Sequence, residues 1–308
     1  MIDNTTRPPK ASDTSNPIVV GIPAYNEENT IGDIVEKARA YVDYVIVVDD
    51  GSSDRTAERA ADAGAVVVEH ERNRGYGSAL GTIFTEADRR GVAHLAILDA
   101  DGQHDPSDVG KLVESQRTTE AEIVIGSRFA GGTSTNAPLY RRIGLTIINT
   151  LTNFGLRLAY QTPRLTDTQS GFRVYNADAI ETMSNQAVLG EGMEVSIDIL
   201  FEAAGAGHEI VETPIEISYD VEDANTHHPI VQGFVLLASI LTRLYDERPS
   251  RLLNIPAFIC VVVGGGLAMA MVSDAAVSRA VPLLLVAALF SAGLMLSGAA
   301  FVLNRIRH

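Results

Sequence analysis

From Ile18 to Gly126 the chain repeats one pattern, a short apolar run followed by a stretch of helical length. The runs are IVVGI (18–22), YVIVV (44–48), AVVVE (65–69), HLAIL (94–98) and EIVIG (122–126). Between them, Thr30 to Tyr41, Asp54 to Ala63, Gly75 to Arg90 and Pro106 to Arg117 read as helices. Strands that are apolar almost throughout, separated by helices, imply an α/β domain whose mostly parallel sheet is covered on both faces. Ligands of such sheets lie beyond the carboxyl ends of the strands. That rule gathers PAYNEE (23–28), DDGSSD (49–54) and DADGQHD (99–105) on one rim.

The rim is acidic. Glu27, Asp49, Asp50, Asp99 and Asp101 all follow strand ends. Carboxylates gathered in one cleft repel each other unless cations join them. Oxygen ligands of this kind suit Mg²⁺ or Mn²⁺, ions that keep waters and bridge to phosphate. A phospho-acceptor receiver would want a lysine at a later strand end, and EIVIGSR has none. A P-loop would need a glycine-rich loop ending in Lys-Ser/Thr, which is absent. NRGYGSALG (73–81) has the glycines of a dinucleotide fingerprint but follows the third strand, so it reads better as a tightly packed helix entry.

PAYNEE, VVDDGSSDRT, NRGYGSAL, ILDADGQHDP and GSRF stand in the order and spacing of the family 2 glycosyltransferases, which the chain resembles. TDTQSGFRVY (166–175) brings the resemblance closer to the dolichyl-phosphate hexose synthases, over roughly residues 18 to 219. It implies a GT-A fold, Rossmann-like, with helices on both faces of the sheet. It implies that Pro23, Tyr25 and Glu27 line the nucleotide pocket and that Asp50 reads the base or ribose. Asp99 and Asp101 match the metal-binding DxD pair, and Gln103 a further contact to metal or diphosphate. Arg128 matches an arginine near the reacting phosphates, and Arg142 and Thr146 match residues for the acceptor phosphate. Arg142 and Thr146 lie four apart on an expected helix, Leu139 to Tyr160, and so share a face.

The implied reaction is one inverting displacement by a lipid phosphate on a nucleotide-diphosphate hexose, UDP- or GDP-linked, with dolichyl phosphate as acceptor. An anionic acceptor needs no strong general base. Asp167 is the candidate if one is used, or else it orients the loop around Ser170 and Arg173. The chain departs from the family after its last strand. A basic stretch there is replaced by SYDVEDANTHHPI (218–230), where only His227 and His228 could stand in. It has no tryptophan for the QxxRW motif of processive polysaccharide synthases, so one-step transfer is favoured.

Charge then divides the rest of the chain. Leu252 to Ser273 and Ala280 to Asn304 carry no charged residue, and each exceeds the roughly 20 residues that cross a bilayer. They read as a transmembrane hairpin (about 252–273 and 280–304, within 252–308), joined by Asp274–Arg279. Arginines 248, 251, 305 and 307 outside it, against Arg279 in the link, place both ends in the cytoplasm. Residues 1–17 have the composition of a disordered tail, 18–228 form the expected catalytic domain, and 229–251 reads as an interfacial or packed helix.

The net charge of −15 excludes non-specific nucleic-acid binding. Lys10, Lys37 and Lys111 are the lysines, and an acidic surface this poor in lysine suits high salt, although an ordinary acidic protein fits the same numbers. With the resemblance, it fits an archaeal, halophilic enzyme starting protein N-glycosylation. Transfer to another membrane lipid such as diacylglycerol, and a silent lipid-binding scaffold, are the competing expectations.

Overall fold

A computed structural model describes residues 16–132, 139–186, 195–215, 242, 253–254, 256–264 and 280–307. The tail to residue 15, the expected helix over 229–251 apart from residue 242, and His227 and His228 lie outside them. The chain divides into two compact units. One is formed by Met1–Leu156 and Thr162–Leu236, the other by Arg157–Gln161 and Leu237–His308.

In the first unit, strands β1 (Ile18–Ala24), β2 (Tyr44–Asp49), β3 (Val66–Glu69), β4 (His94–Ile97) and β5 (Ile123–Ser127) alternate with helices α1 (Ile31–Ala38), α2 (Thr56–Asp62), α3 (Tyr76–Arg89) and α4 (Val109–Thr119). Then come α5 (Leu139–Tyr160, of which the residues to Leu156 belong to this unit), β6 (Arg173–Asn176), α6 (Ala177–Ser184), α7 (Val195–Ala206) and β7 (Ile210–Pro214). The expected elements appear with ends moved by a few residues. The helix expected from Pro106 opens instead as a 3-10 turn, Pro106–Asp108, capped by the Asp105 carboxylate.

The seven strands lie in the order β3-β2-β1-β4-β6-β5-β7. β1, β2, β3 and β4 pair in parallel, and so do β5 and β7. β6 runs antiparallel to both its neighbours, β4 and β5. This is a GT-A-like α/β fold with a mostly parallel sheet. β1 and β2 are buried almost throughout, as strands covered on both faces must be. On one face Val20, Ile22, Val45, Val47, Ala96 and Leu98 pack against α1, α2 and α4. α1 contributes Ile31, Ile34, Val35 and Ala38, the i, i+3, i+4, i+7 stripe of an amphipathic helix. On the other face α3 lies so close that a Cβ on Gly21 would stand 2.4 Å from Ile83. Phe84 of α3 meets Tyr175 of β6 edge to face.

Two features of this topology place the site. The strand order turns between β1 and β4, and ligands of such sheets bind beyond the carboxyl ends at that point. And because β6 is antiparallel, its amino-terminal end lies at the carboxyl ends of β4 and β5, with Arg173 paired to Ile97 and Ile125. TDTQSGF (166–172) is thereby delivered onto the rim.

In the second unit, residues 256–264 are helical and α8 spans Ala280–Arg307. A Cβ on Gly293 would stand 3.0 Å from Val261 and 3.1 Å from the Ala257 carbonyl oxygen, and one on Gly264 3.4 Å from Leu289 and Phe290. Position 293 thus meets 257–261 while 264 meets 289–290, so the two helices run antiparallel with small residues at the contact. Phe258, Val262, Leu294 and Met295 are exposed. The described side chains of α8 run only from Leu285 to Ala299. Among the described residues no helix is long and apolar enough to cross a membrane.

Candidate active site

The rim is built by stitching loops together. After β1, Asn26 takes a left-handed backbone (φ 56°) and its side-chain oxygen accepts the Ser53 N–H at 2.9 Å. In return the Asn26 N–H donates to Ser52 Oγ at 2.9 Å and the Glu27 N–H to Thr56 Oγ1 at 2.8 Å. The Asp49 carboxylate accepts the N–H and the hydroxyl of Ser52. PAYNEE and DDGSSD are thus one interlocked surface. Pro23 is buried in it and Tyr25 is exposed upon it.

Asp50 is buried, and its carboxylate is bound by the segment between β3 and α3. Its oxygens receive the Arg74 N–H at 3.0 Å, the Gly75 N–H at 2.7 Å and His70 Nδ1 at 2.6 Å. His70 Nε2 lies 2.9 Å from Thr82 Oγ1. Gly51 (φ 74°) lies flush against the Arg72–Asn73 backbone. Gly75 (φ 91°) turns the chain into α3.

That turn aims Tyr76 at the acidic strand end. Its hydroxyl donates to Asp99 Oδ1 at 2.9 Å, and the residue is half-buried. Burial, the Asp99 charge and the hydrogen bond to it all raise the Tyr76 pKa, so it remains the donor. Burial raises the Asp99 pKa too, against the lowering effects of Tyr76, Arg173 and Arg128. Asp101 Oδ1 accepts the Gln103 N–H at 2.9 Å, and burial and the Asp99 charge raise its pKa. Burial raises that of Glu27, with Asp101 adding to the rise. Asp101, after β4, thus acts on Glu27, after β1, as Asp99 acts on Asp101. Each would be relieved by a cation.

Among the described residues no three His, Cys, Asp or Glu side chains are gathered closely enough to form a metal cage. Two carboxylates with an amide nearby is the donor set of an Mg²⁺ or Mn²⁺ that completes its shell with water and substrate phosphate. The residues present fit such an ion on those terms.

Arg128, after β5, is clamped by Asp167. Its Nε and Nη2 each donate at 2.7 Å to separate oxygens of that fully buried carboxylate. The Arg128 N–H adds a bond of 3.1 Å. Glu212 of β7 accepts the N–H groups of Thr166 and Asp167, each at 2.7 Å. Asp167 therefore has the arginine as its partner. That pairing ties the loop before β6 to the segment after β5, and Arg173 holds the same loop from within. Its guanidinium, 1% exposed, donates to the carbonyls of Thr168, Ser170 and Ser196. Thr146 is exposed on α5, one turn after Arg142, whose side chain lies outside the described residues.

The sequence pattern did not single out His70, Gly171 or the contact of Tyr76 with Asp99. A Cβ on Gly171 would stand 2.6 Å from Asp99 Oδ2. Tyr76 and Gly171 both belong to motifs visible in the sequence, but their partners are 23 and 72 residues away (99 − 76; 171 − 99).

Residues 19–183 match the model of the glycosyl transferase family 2. A polyprenol monophosphomannose synthase from Mycolicibacterium smegmatis is 33% identical over 64% of this chain and 76% of its own length. A UDP-N-acetylglucosamine–dolichyl-phosphate N-acetylglucosaminyltransferase from Methanococcus voltae is 29% identical over 71% of this chain and 93% of its own. Among solved structures, glucosyl-3-phosphoglycerate synthase from Mycobacterium tuberculosis, in complex with Mn²⁺, UDP and glucosyl-3-phosphoglycerate, superposes with a TM-score of 0.54. It is 21% identical and covers 76% of this chain and 80% of that one, a likeness of fold.

Proposed function

The chain belongs to glycosyl transferase family 2, and from that membership we propose that it transfers a hexose from a nucleotide-diphosphate sugar to dolichyl phosphate at the cytoplasmic membrane face. The observation that carries the reading is the acidic end of β4, where Asp99 accepts from Tyr76 and Asp101 accepts from the Gln103 N–H, on the same rim as Arg128 in its clamp by Asp167. An acidic strand end and a fixed guanidinium on one rim suit a reaction that joins a cation, a diphosphate and a second phosphate. The relatives named for polyprenyl or dolichyl phosphate support the acceptor class.

In this reading Asp99 and Asp101, with Gln103 beside them, hold Mg²⁺ or Mn²⁺. When bound, the ion stabilises charge on the departing nucleotide diphosphate. Pro23, Tyr25 and Glu27 line the nucleotide pocket on the stitched loops, and Asp50 braces the neighbouring segment. Arg128, held in one orientation by Asp167, steadies phosphate oxygens beside the anomeric carbon. Arg142 and Thr146 lie one turn apart on α5, the spacing for a second contact to the acceptor phosphate. The phosphate attacks as an anion, so no side chain need remove a proton, and Asp167 is left to its structural pairing.

The second unit serves as the membrane anchor. The antiparallel contact through Gly264 and Gly293 is the close approach that glycines permit between helices in lipid. Apolar residues exposed on both helices suit a hydrocarbon surround. The arginine bias of the sequence puts both ends of the anchor, and the catalytic unit with them, on the cytoplasmic side. An archaeal N-glycosylation pathway fits the acidic, lysine-poor composition.

The test is to incubate membranes containing the protein with dolichyl phosphate and Mn²⁺, adding UDP-glucose, UDP-N-acetylglucosamine or GDP-mannose separately. Lipid-linked sugar is then read by mass spectrometry. Product from one donor, lost in Asp101→Ala, is expected. Silence from all three with folded protein would overturn this acceptor class and favour another lipid.

A further inference from the structure

Asp99 is held from two sides by segments that the strand pattern alone leaves unconnected to it. On one side the Tyr76 hydroxyl donates to Oδ1 at 2.9 Å. On the other, Gly171 approaches so closely that a Cβ there would stand 2.6 Å from Oδ2 and 3.3 Å from the carboxyl carbon. Neither segment rests loosely. Tyr76 follows Gly75, whose N–H is bound by buried Asp50. Gly171 lies between Ser170, whose carbonyl accepts from buried Arg173, and Phe172, whose carbonyl accepts the Gly126 N–H at 2.9 Å.

A carboxylate free to rotate presents its oxygens to a cation in many directions. One with a donor on the first oxygen and backbone against the second presents a single face. We propose that Tyr76 is a positioning residue of the cation site, fixing the Asp99 carboxylate while Gly171 leaves the space that this orientation needs. The inference rests on the reading of Asp99 and Asp101 as cation ligands. It assigns NRGYG a task beyond helix entry: Asp50 braces the segment, and Tyr76 transmits that rigidity to Asp99. Partners of ligating groups in such positions change metal affinity by roughly 10- to 100-fold when removed.

The experiment is an electron paramagnetic resonance titration of the detergent-solubilised full chain with Mn²⁺, in the presence of UDP and, separately, GDP. Tyr76→Phe removes only the hydroxyl, and a roughly 10-fold or greater weakening of Mn²⁺ binding is expected. Gly171→Ala removes no hydrogen bond but pushes the carboxylate from its other side, and a loss of similar size is expected. It supplies the readout should Tyr76→Phe fail to fold. If the unaltered protein binds Mn²⁺ while both folded variants bind it equally well, the positioning role is overturned and the cation site stands. If the unaltered protein binds none in either arm, the cation reading falls and the proposal with it.

Discussion

Arg128 and Asp167 meet fork to fork, Nε to Oδ2 and Nη2 to Oδ1, both at 2.7 Å, with the aspartate fully buried and the arginine 18% exposed. The pair joins the segment after β5 to the segment before β6. Breaking such a pair from one side strands a buried charge, at a cost of about 3–5 kcal/mol, whereas replacing both partners by apolar groups is often neutral. Arg128→Met should therefore destabilise the chain by about 3 kcal/mol in denaturant unfolding. Adding Asp167→Leu should recover most of that stability and none of the transfer activity.

Asp101→Asn separates stability from function. Burial, then the Asp99 charge, raise the Asp101 pKa, so the folded state disfavours its ionised form. A raised acid favours folding below its unfolded pKa, and that advantage is lost as pH rises through the folded pKa. At neutral pH the neutral amide avoids the cost and can still accept from the Gln103 N–H. The metal-free variant should melt no lower than the parent. Transfer should fall by at least about 100-fold, the loss of several kcal/mol of charge stabilisation.

His104 should make the fold sensitive to acid. Burial, the largest effect, lowers its pKa from 6.5 to about 4, with Asp101, Arg128 and Asp167 acting on it and the Phe172 ring beside it. Above pH 6.5 it is neutral in both states. As pH falls towards 4 the unfolded chain takes up a proton that the native chain refuses, so stability drops, by about 2 kcal/mol at pH 5. Asp99 and Asp101 work in the opposite direction, so a difference between variants is the useful measurement. Metal-free His104→Gln should lose less melting temperature between pH 7 and pH 5 than the parent does.

Gly51→Ala tests the close approach of the chain after β2 to the Arg72–Asn73 backbone. The residue has φ 74°, and a Cβ would stand 2.4 Å from the Arg72 carbonyl carbon and 2.7 Å from the Asn73 nitrogen. Left-handed strain alone costs roughly 1–2 kcal/mol, and here backbone must also move. The variant should unfold at distinctly lower denaturant. Gly81→Ala, where a Cβ meets nothing within 4 Å, should be neutral or stabilising.

Local patterns were legible in the sequence. Apolar runs and amphipathic stretches marked the first five strands and their helices, because strands covered on both faces are apolar throughout and helices repeat at 3.6 residues. The DxD pair stood out as charge at the end of an apolar run. β6 did not, since RVYN is four residues long and includes an arginine. That arginine is buried because three backbone carbonyls satisfy it, a pairing between residues up to 23 apart (196 − 173).

The sequence by itself determined the strand–helix alternation, the acidic rim and the uncharged carboxyl-terminal runs, all consequences of side-chain chemistry repeating over short distances. Tertiary structure alone decided what each acid touches. Asp50 and Asp99 both end apolar strands, yet the first is spent on Arg74, Gly75 and His70 while the second lies beside Asp101. The antiparallel direction of β6 decided the rest, carrying Asp167 to Arg128 and Gly171 to Asp99. A carboxylate's role depends on the donors and charges within a few ångströms of it, and strand order and direction set those neighbours.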